Sequence, residues 1–189
     1  RSAPAPWSPG AQVAQAIELI VPRLARGGRL IYAGAGTRGR LGVLDASECP
    51  PTFRSDPRQV LGLLAGGERA MFAAQEGAED RAEDGTAAMR SHDVGPDDAV
   101  CGIAAGGTTP FVHGALAEAK ARGAATIFLS CVEHYPGEPT YDVTIRALTG
   151  PEVLTGSTRL KAGTATKLIL NQLTTASVSY THLRAHETL

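Results

Sequence analysis

The chain has 189 residues, of which 43% are hydrophobic, enough to bury one sizeable core but not two full domains. Its 18 basic and 19 acidic residues give a formal net charge of -1, which excludes the strongly basic profile of nucleic-acid and anionic-membrane binders. No apolar run approaches the roughly 20 residues that span a bilayer, and the start RSAPAPWSPG lacks the pattern of an export signal. We therefore expect a cytoplasmic protein that binds neither nucleic acid nor membrane.

Cysteine usage agrees with a reducing compartment. Cys49, Cys101 and Cys131 are odd in number, widely spaced and without a CxxC pair or a histidine at metal-ligand spacing. Neither a disulfide framework nor a metal site is expected. No other cofactor is expected.

The chain begins with a Pro-rich stretch, residues 1–10, which predicts a linker or a disordered segment rather than part of a domain. Apolar residues then recur at helical spacing from Val13 to Leu24, and Gly27 with the next glycine supplies the stop. Pro22 lies inside this pattern and should kink the helix or shift its start. We place the folded domain at residues 11–177.

A strand, a short loop and a helix recur along the rest of the domain. Helices are predicted from Thr37 onward, over 68–80, 82–90 and 110–122, and from Ser157 onward. Short apolar runs predict five strands, at 29–34, 60–65, 99–104, 125–130 and 141–147. The alternation predicts an α/β fold with a mostly parallel five-stranded sheet between two helical layers.

Four loops follow the predicted strands and are rich in glycine or polar residues. In parallel sheets ligands bind where strand carboxyl ends meet helix amino ends. The loops should therefore converge on one crevice: 34–39, 65–68, 104–110 and 130–136.

The first of these loops carries Gly34-Ala-Gly36-Thr-Arg-Gly39, which matches the GxGxxG dinucleotide pattern. Backbone amides at such a junction bind any phosphate, whether of a nucleotide or of a sugar. The acid that binds ribose should end a second strand about 20 residues later, whereas Asp45 and Glu48 fall in the following helix or loop. A sugar phosphate is the preferred reading, with a purely structural tight turn as the alternative.

The longer stretch at 34–53, GAGTRGRLGVLDASECPPTF, resembles the signature of the N-acetylmuramic acid 6-phosphate etherases, members of the sugar isomerase domain group. Further segments agree in order: LAGGERA, QEGAED, AAGGTTPFVHGAL and GPEVLTGSTRLKAGTATKLILN. The resemblance covers roughly residues 12–177. It implies a Rossmann-like three-layer sandwich and a truncation of the family pattern at both ends.

The resemblance also implies a carbon–oxygen lyase, in which an open-chain sugar loses D-lactate from C3 and the unsaturated intermediate takes up water. The products would be N-acetylglucosamine 6-phosphate and D-lactate, as in cell-wall sugar recycling. Two acid/base groups are needed, and carboxylates can serve if their surroundings hold them in different protonation states. Glu48 and Glu79 match the family's catalytic glutamates. We assign Glu48 as the acid at the lactyl oxygen and Glu79 as the base at C2.

Three further segments match the family's ligand-binding positions, with departures. Arg38 stands where the family has Ser, Gly106 where it has Ser, and Thr108 where it has Arg. A phosphate-binding arginine lost at 108 could be replaced by Arg38, or the longer side chain could fill the ligand space. The expected substrate-binding residues are Gly36, Thr37, Arg38, Gly106, Gly107, Thr108, Thr109, Ser157, Thr158 and Lys161.

Two of these positions have an equally good structural interpretation. Ser157 would cap the last helix and Lys161 would be a surface charge. His113, on the helix after the third strand, is interpreted as a packing or surface residue rather than a catalyst.

From Val178 the sequence VSYTHLRAHETL stops following the family, and residues 178–189 are predicted to be a non-native tail. His182 and His186 are accordingly not taken as a metal site. Family resemblance implies a homodimer whose active sites draw residues from both subunits. A non-catalytic sugar phosphate sensor and an aminosugar phosphate isomerase remain alternatives, although neither explains two acid/base glutamates with the DASECPPT signature.

Overall fold

The computed structural model describes residues 9–186, with side chains for residues 9–181. Its centre is a single five-stranded sheet in which every strand pairs in parallel, in the order β2-β1-β3-β4-β5. The strands are β1 Leu30–Gly34, β2 Val60–Leu64, β3 Ala99–Ile103, β4 Ala125–Ser130 and β5 Val143–Arg146. The predicted parallel sheet is confirmed.

Helices cover both faces of the sheet. The helices are α1 Gly10–Ala25, α2 Gly36–Phe53, α3 Arg69–Phe72, α4 Ala82–Ser91, α5 Pro110–Ala121 and α6 Lys161–His186, with a 3-10 turn at Ala78–Asp80. One core joins α1, α2 and α6 to one face, and a second joins α4 and α5 to the other. The two cores make the predicted three-layer sandwich. Within residues 9–186, every helix falls short of the length or apolar character that a bilayer crossing requires.

The helix predicted over 68–80 is wrong. Only the short α3 and the 3-10 turn are helical there, because Ala73 adopts an extended conformation and Gly77 has φ 71°. Most side chains between Phe72 and Asp80 are exposed, so no buried apolar face holds a longer helix together.

Pro50 and Pro51 in the sequence predict an end to the helix that starts near Thr37. That prediction is wrong, because α2 continues to Phe53 and stops at Arg54, with φ 54°. Prolines near a helix end remove few backbone hydrogen bonds. The face carrying Ala46 and Cys49 is buried, and this packing holds the last turns.

The helix ends differ slightly from expectation. The first helix begins at Gly10 and runs through Pro22, whereas residues 1–8 lie outside the described part. The last helix passes Val178, which is buried in the core, without a break in secondary structure. The side chains of His182 and His186 lie outside the described residues. The non-native origin of residues 178–189 stays a prediction.

Candidate functional site

The loops after the strands meet at one edge of the sheet. Ala65 donates its N–H to the carbonyl of Gly34, and Cys131 donates its N–H to the carbonyl of Ala105. The chain moves from β1 outward to β2 and then returns to β3 on the other side of β1. The loops after β1 and β3 therefore border the topological switch point where ligands bind in open α/β sheets.

The first loop is packed so tightly that only glycine fits at its end. A Cβ atom on Gly39 would lie 2.5 Å from the Gly34 oxygen and 2.2 Å from Leu64 Cδ1. This close approach brings α2 against the ends of β1 and β2. The residue before α2 is Ala35, which has no side-chain acceptor, so the first amides of the helix are left for an anion in the crevice.

A cavity of about 300 Å³ lies beside this helix start. Gly36 lines it together with Arg40 and Glu79. The Arg40 Nε donates to the carbonyls of Ala70 and Met71 at 2.9 and 3.0 Å, which holds the opposite wall. The structure thus brings Glu79 to the glycine loop, as a base acting on a bound sugar phosphate would require.

The guanidinium of Arg38 is directed toward the loop before α6. Its Nη2 donates to the carbonyl of Thr158 at 3.0 Å, and its buried Nε has no hydrogen-bond partner. Burial lowers the pKa of Arg38. Three acidic groups oppose that shift: Cys131, Glu79 and Glu152. Arg38 therefore lies close enough to Glu79 and Glu152 to interact with them electrostatically, and its Nε is buried without a partner.

The loop after β3 supplies the second predicted phosphate contact. Gly106 and Thr108 are exposed, Gly107 is buried with φ +84°, and Thr109 is the residue before α5. Thr109 accepts backbone bonds from Val112 and His113 in the first turn of α5. This loop and the start of α2 follow the neighbouring strands β3 and β1, so both lie at the carboxyl end of the sheet.

The predicted cap of the last helix is wrong. This helix begins at Lys161, and its first amides, from Lys161 and Ala162, donate to the carboxylate of Glu152 at 3.0 and 2.9 Å. The backbone bond from Ala162 contributes most to lowering the pKa of Glu152. The sequence analysis missed this residue, because Glu152 lies nine residues before Lys161 and only the fold of the loop brings it to the helix start.

Ser157 does not cap the last helix, because it lies four residues before the helix begins at Lys161. Ser157 and Thr158 are half-buried in the loop before the helix, and Lys161 is exposed at its first turn. Only Thr158 has a contact with the glycine loop, through its carbonyl to Arg38. The ligand roles of Ser157 and Lys161 stay predictions.

Glu48 lies elsewhere on the chain. Its exposed side chain lines a groove of about 320 Å³ between α2 and α6, which we call the helix groove; it is lined by Leu41, Leu44, Asp45, Glu48, Lys167, Leu170 and Asn171. Glu48 follows Gly36 by twelve residues of α2, about 18 Å along the helix axis at 1.5 Å per residue. One chain therefore does not bring Glu48 and Glu79 to the same crevice.

A buried carboxylate lies next to Glu48. Asp45, only 6% exposed, accepts bonds from Tyr32 Oη at 2.9 Å, Asn171 Nδ2 at 2.8 Å and Thr174 Oγ1 at 3.3 Å. Burial raises the pKa of Asp45, and these hydrogen bonds offset the rise only in part. Lys167 Nζ in turn donates to Asn171 Oδ1 at 2.8 Å. This network joins β1, α2 and α6 under the helix groove.

A protein-family model matches the part of the chain that forms this crevice. Residues 12–120 match the model of the glucokinase regulatory protein N-terminal SIS domain. The chain belongs to the SIS domain family. This match covers the glycine loop, the loop after β3 and both candidate glutamates.

Curated relatives named N-acetylmuramic acid 6-phosphate etherase match this chain at high sequence identity. The protein of Synechococcus elongatus is 60% identical over 175 residues, covering 89% of this chain and 57% of the relative. That of Trichormus variabilis is 58% identical over 164 residues, covering 87% and 53%. The resemblance found in the sequence is confirmed, and the chain spans slightly more than half the length of these relatives.

Solved structures show the same fold at low identity. A phosphoheptose isomerase from Francisella tularensis has a TM-score of 0.69 and 16% identity, covering 90% of this chain and 86% of that one. The sugar isomerase domain of an RpiR transcription factor from Sphaerobacter thermophilus has a TM-score of 0.54 and 18% identity, covering 95% and 91%. At this identity the likeness establishes the fold alone.

Proposed function

We propose that this chain is the SIS-domain part of a lyase that cleaves the D-lactyl ether of N-acetylmuramic acid 6-phosphate. The observation that carries the proposal is the 60% identity to a curated etherase over 175 residues of this chain. Elimination would remove a proton from C2 and D-lactate from C3, and addition of water would give N-acetylglucosamine 6-phosphate. The compartment would be the cytoplasm, consistent with three cysteines that are all free thiols.

The crevice supports the phosphate and base parts of this reaction. The amides at the start of α2 and in the loop after β3 suit a phosphate, since backbone N–H groups and a helix start attract an anion. The guanidinium of Arg38 would add a positive charge beside the phosphate and compensate for Thr108, where the family has Arg. Glu79, in the same cavity as Gly36, would remove the C2 proton. That proton is acidic because the C1 aldehyde is adjacent.

The acid part of the reaction requires a second chain. With Glu48 about 18 Å along α2 from the glycine loop, one copy holds only half of the glutamate pair. We propose a homodimer in which Glu48 of one copy completes the crevice of the other and protonates the departing lactyl oxygen. Two half-exposed leucines near the helix groove, Leu44 at 44% and Leu168 at 49%, supply apolar surface for such an interface.

The test is release of D-lactate from N-acetylmuramic acid 6-phosphate, by this chain and by a version extended to the length of the curated relatives. Glu48→Gln and Glu79→Gln should each abolish release. Glu83→Gln, exposed on α4 and outside the lining of the cavity that contains Glu79, is the matched control and should retain it. Activity that survives both catalytic substitutions would contradict the proposal.

Mixing the two inactive variants tests the composite site. A dimer of one Glu48→Gln chain and one Glu79→Gln chain has one intact site if the glutamates come from different copies. With random exchange, about a quarter of wild-type activity should return. If both glutamates act within one chain, mixing restores nothing.

A regulatory sensor of sugar phosphates is the second candidate, because the matching family model is named for a regulatory protein. A sensor would bind the sugar phosphate and show a higher melting temperature without releasing lactate. The same assay therefore separates the two functions.

A further inference from the structure

The loop after β3 is fixed at a single carbonyl group. The Gly107 oxygen accepts hydrogen bonds from two side chains: His113 Nε2 at 2.7 Å and Tyr135 Oη at 3.1 Å. Gly107 itself is buried, and its φ of +84° is a conformation that side chains rarely adopt. A glycine at this point permits rotation of the following peptide, so the two donors determine its direction.

This carbonyl controls the amide of the next residue. In a trans peptide the C=O and the N–H point in opposite directions, and the described residues contain no cis peptide. Since the Gly107 carbonyl is directed at His113 and Tyr135, the Thr108 N–H is directed away from them. Thr108 is exposed at the crevice edge. We call the two hydrogen bonds to the Gly107 oxygen the clamp. The clamp leaves the Thr108 amide free to donate to a ligand.

His113 is itself held in position. Its Nδ1 lies 2.5 Å from Tyr141 Oη, and its ring packs on Phe128 with centroids 5.4 Å apart. A carbonyl can only accept, so Nε2 carries the hydrogen, and in the neutral ring Nδ1 accepts from the Tyr141 hydroxyl. One tautomer and one orientation are therefore selected. A role limited to packing does not account for both ring nitrogens having partners.

We infer that His113 is a positioning residue for sugar phosphate binding: it holds the Gly107–Thr108 peptide with the Thr108 amide toward the crevice. The inference rests on the proposed function only in that the crevice binds a sugar phosphate. In this scheme His113 does not contact the sugar phosphate. Its contribution passes through the backbone of the loop.

The first experiment compares two substitutions by calorimetric binding of N-acetylglucosamine 6-phosphate. Gln can return a donor near the position of Nε2, whereas Leu cannot. His113→Leu should weaken binding about tenfold, the effect of one lost hydrogen bond, and His113→Gln should stay within about threefold of wild type. In the lactate assay His113→Leu should raise KM and leave kcat nearly unchanged. His92→Leu, at the residue that follows α4, is the matched control and should alter neither.

A second measurement does not depend on the ligand. Nitrogen NMR of the His113 ring should show a protonated Nε2 and an unprotonated Nδ1, and a crystal structure of His113→Leu should show the Gly107 peptide rotated. A His113→Leu chain with the wild-type peptide direction, or with wild-type affinity, overturns the inference. A rotated peptide in a protein whose wild type binds no sugar phosphate would support the clamp and reject the proposed function.

Discussion

The crevice and the helix groove are built in different ways. In the crevice, side chains bond mainly to backbone carbonyls: Arg38 donates to Thr158 in the loop before α6, and Arg40 donates to Ala70 in the short helix α3. In the helix groove, the buried Asp45 joins one strand and two helices through side-chain hydrogen bonds. A buried network of side-chain hydrogen bonds fixes a helix face. The difference indicates that the helix face presenting Glu48 is held by buried side chains, whereas the crevice is held by bonds to backbone carbonyls.

The largest effect should come from Asp45→Ala. Removing this carboxylate leaves the buried Tyr32 hydroxyl without its acceptor and takes away the acceptor of Asn171 Nδ2, and should lower the free energy of unfolding by about 3 kcal/mol. Urea denaturation measures it. Asp45→Asn keeps most of the shape and should lose clearly less. A loss below about 1 kcal/mol for Asp45→Ala would mean that the groove is not held rigid by this network.

The same residue predicts a pH dependence. Burial raises the pKa of Asp45 in the folded state, so its stabilising contribution is fully present below the unfolded pKa and is lost as pH rises through the folded pKa. Asn does not titrate. Relative to wild type, Asp45→Asn should therefore gain stability as pH rises from about 4. If the free energies of unfolding of the two proteins change with pH in parallel, folding does not raise the pKa of Asp45.

A smaller effect is expected in the crevice, where Arg38→Ser restores the residue of the family pattern. If the guanidinium has replaced the missing arginine at 108, N-acetylglucosamine 6-phosphate should bind about tenfold more weakly, as for one charge-assisted hydrogen bond. Calorimetry measures it, with Arg58→Ser as the matched control, because Arg58 precedes β2 at the opposite edge of the sheet. Tighter binding by Arg38→Ser would instead mean that the long side chain occupies ligand space.

The smallest effect should be on stability when the glutamates are changed. Glu48 and Glu79 are both exposed, so the Gln variants should unfold within about 0.5 kcal/mol of wild type. Thermal and urea unfolding check this beside the lactate assay. A loss of 2 kcal/mol in either variant would point to a structural role and weaken the comparison between the two regions.

Local patterns in the sequence predicted the framework. Short apolar runs identified the five strands, and alternation with helices identified the parallel sheet, because burial on both faces leaves a continuous apolar run. The glycine loop followed from the same reasoning, since Gly34, Gly36 and Gly39 lie where a strand turns into a helix. The family resemblance supplied Glu48 and Glu79, which their local sequence alone did not distinguish from surface charges.

Tertiary structure decided what depends on distant parts of the chain. Asp45 and Asn171 are 126 positions apart, and Arg38 and Thr158 are 120 apart, so no local pattern contains either contact. The end of α2 beyond Pro50 depended on burial of one helix face, and the start of α6 on a carboxylate from the preceding loop. The separation of Glu48 from Glu79 follows from the length and direction of α2. Sequence thus determined which residue types stand near each strand end, because those preferences are local, whereas packing determined which of them face one another.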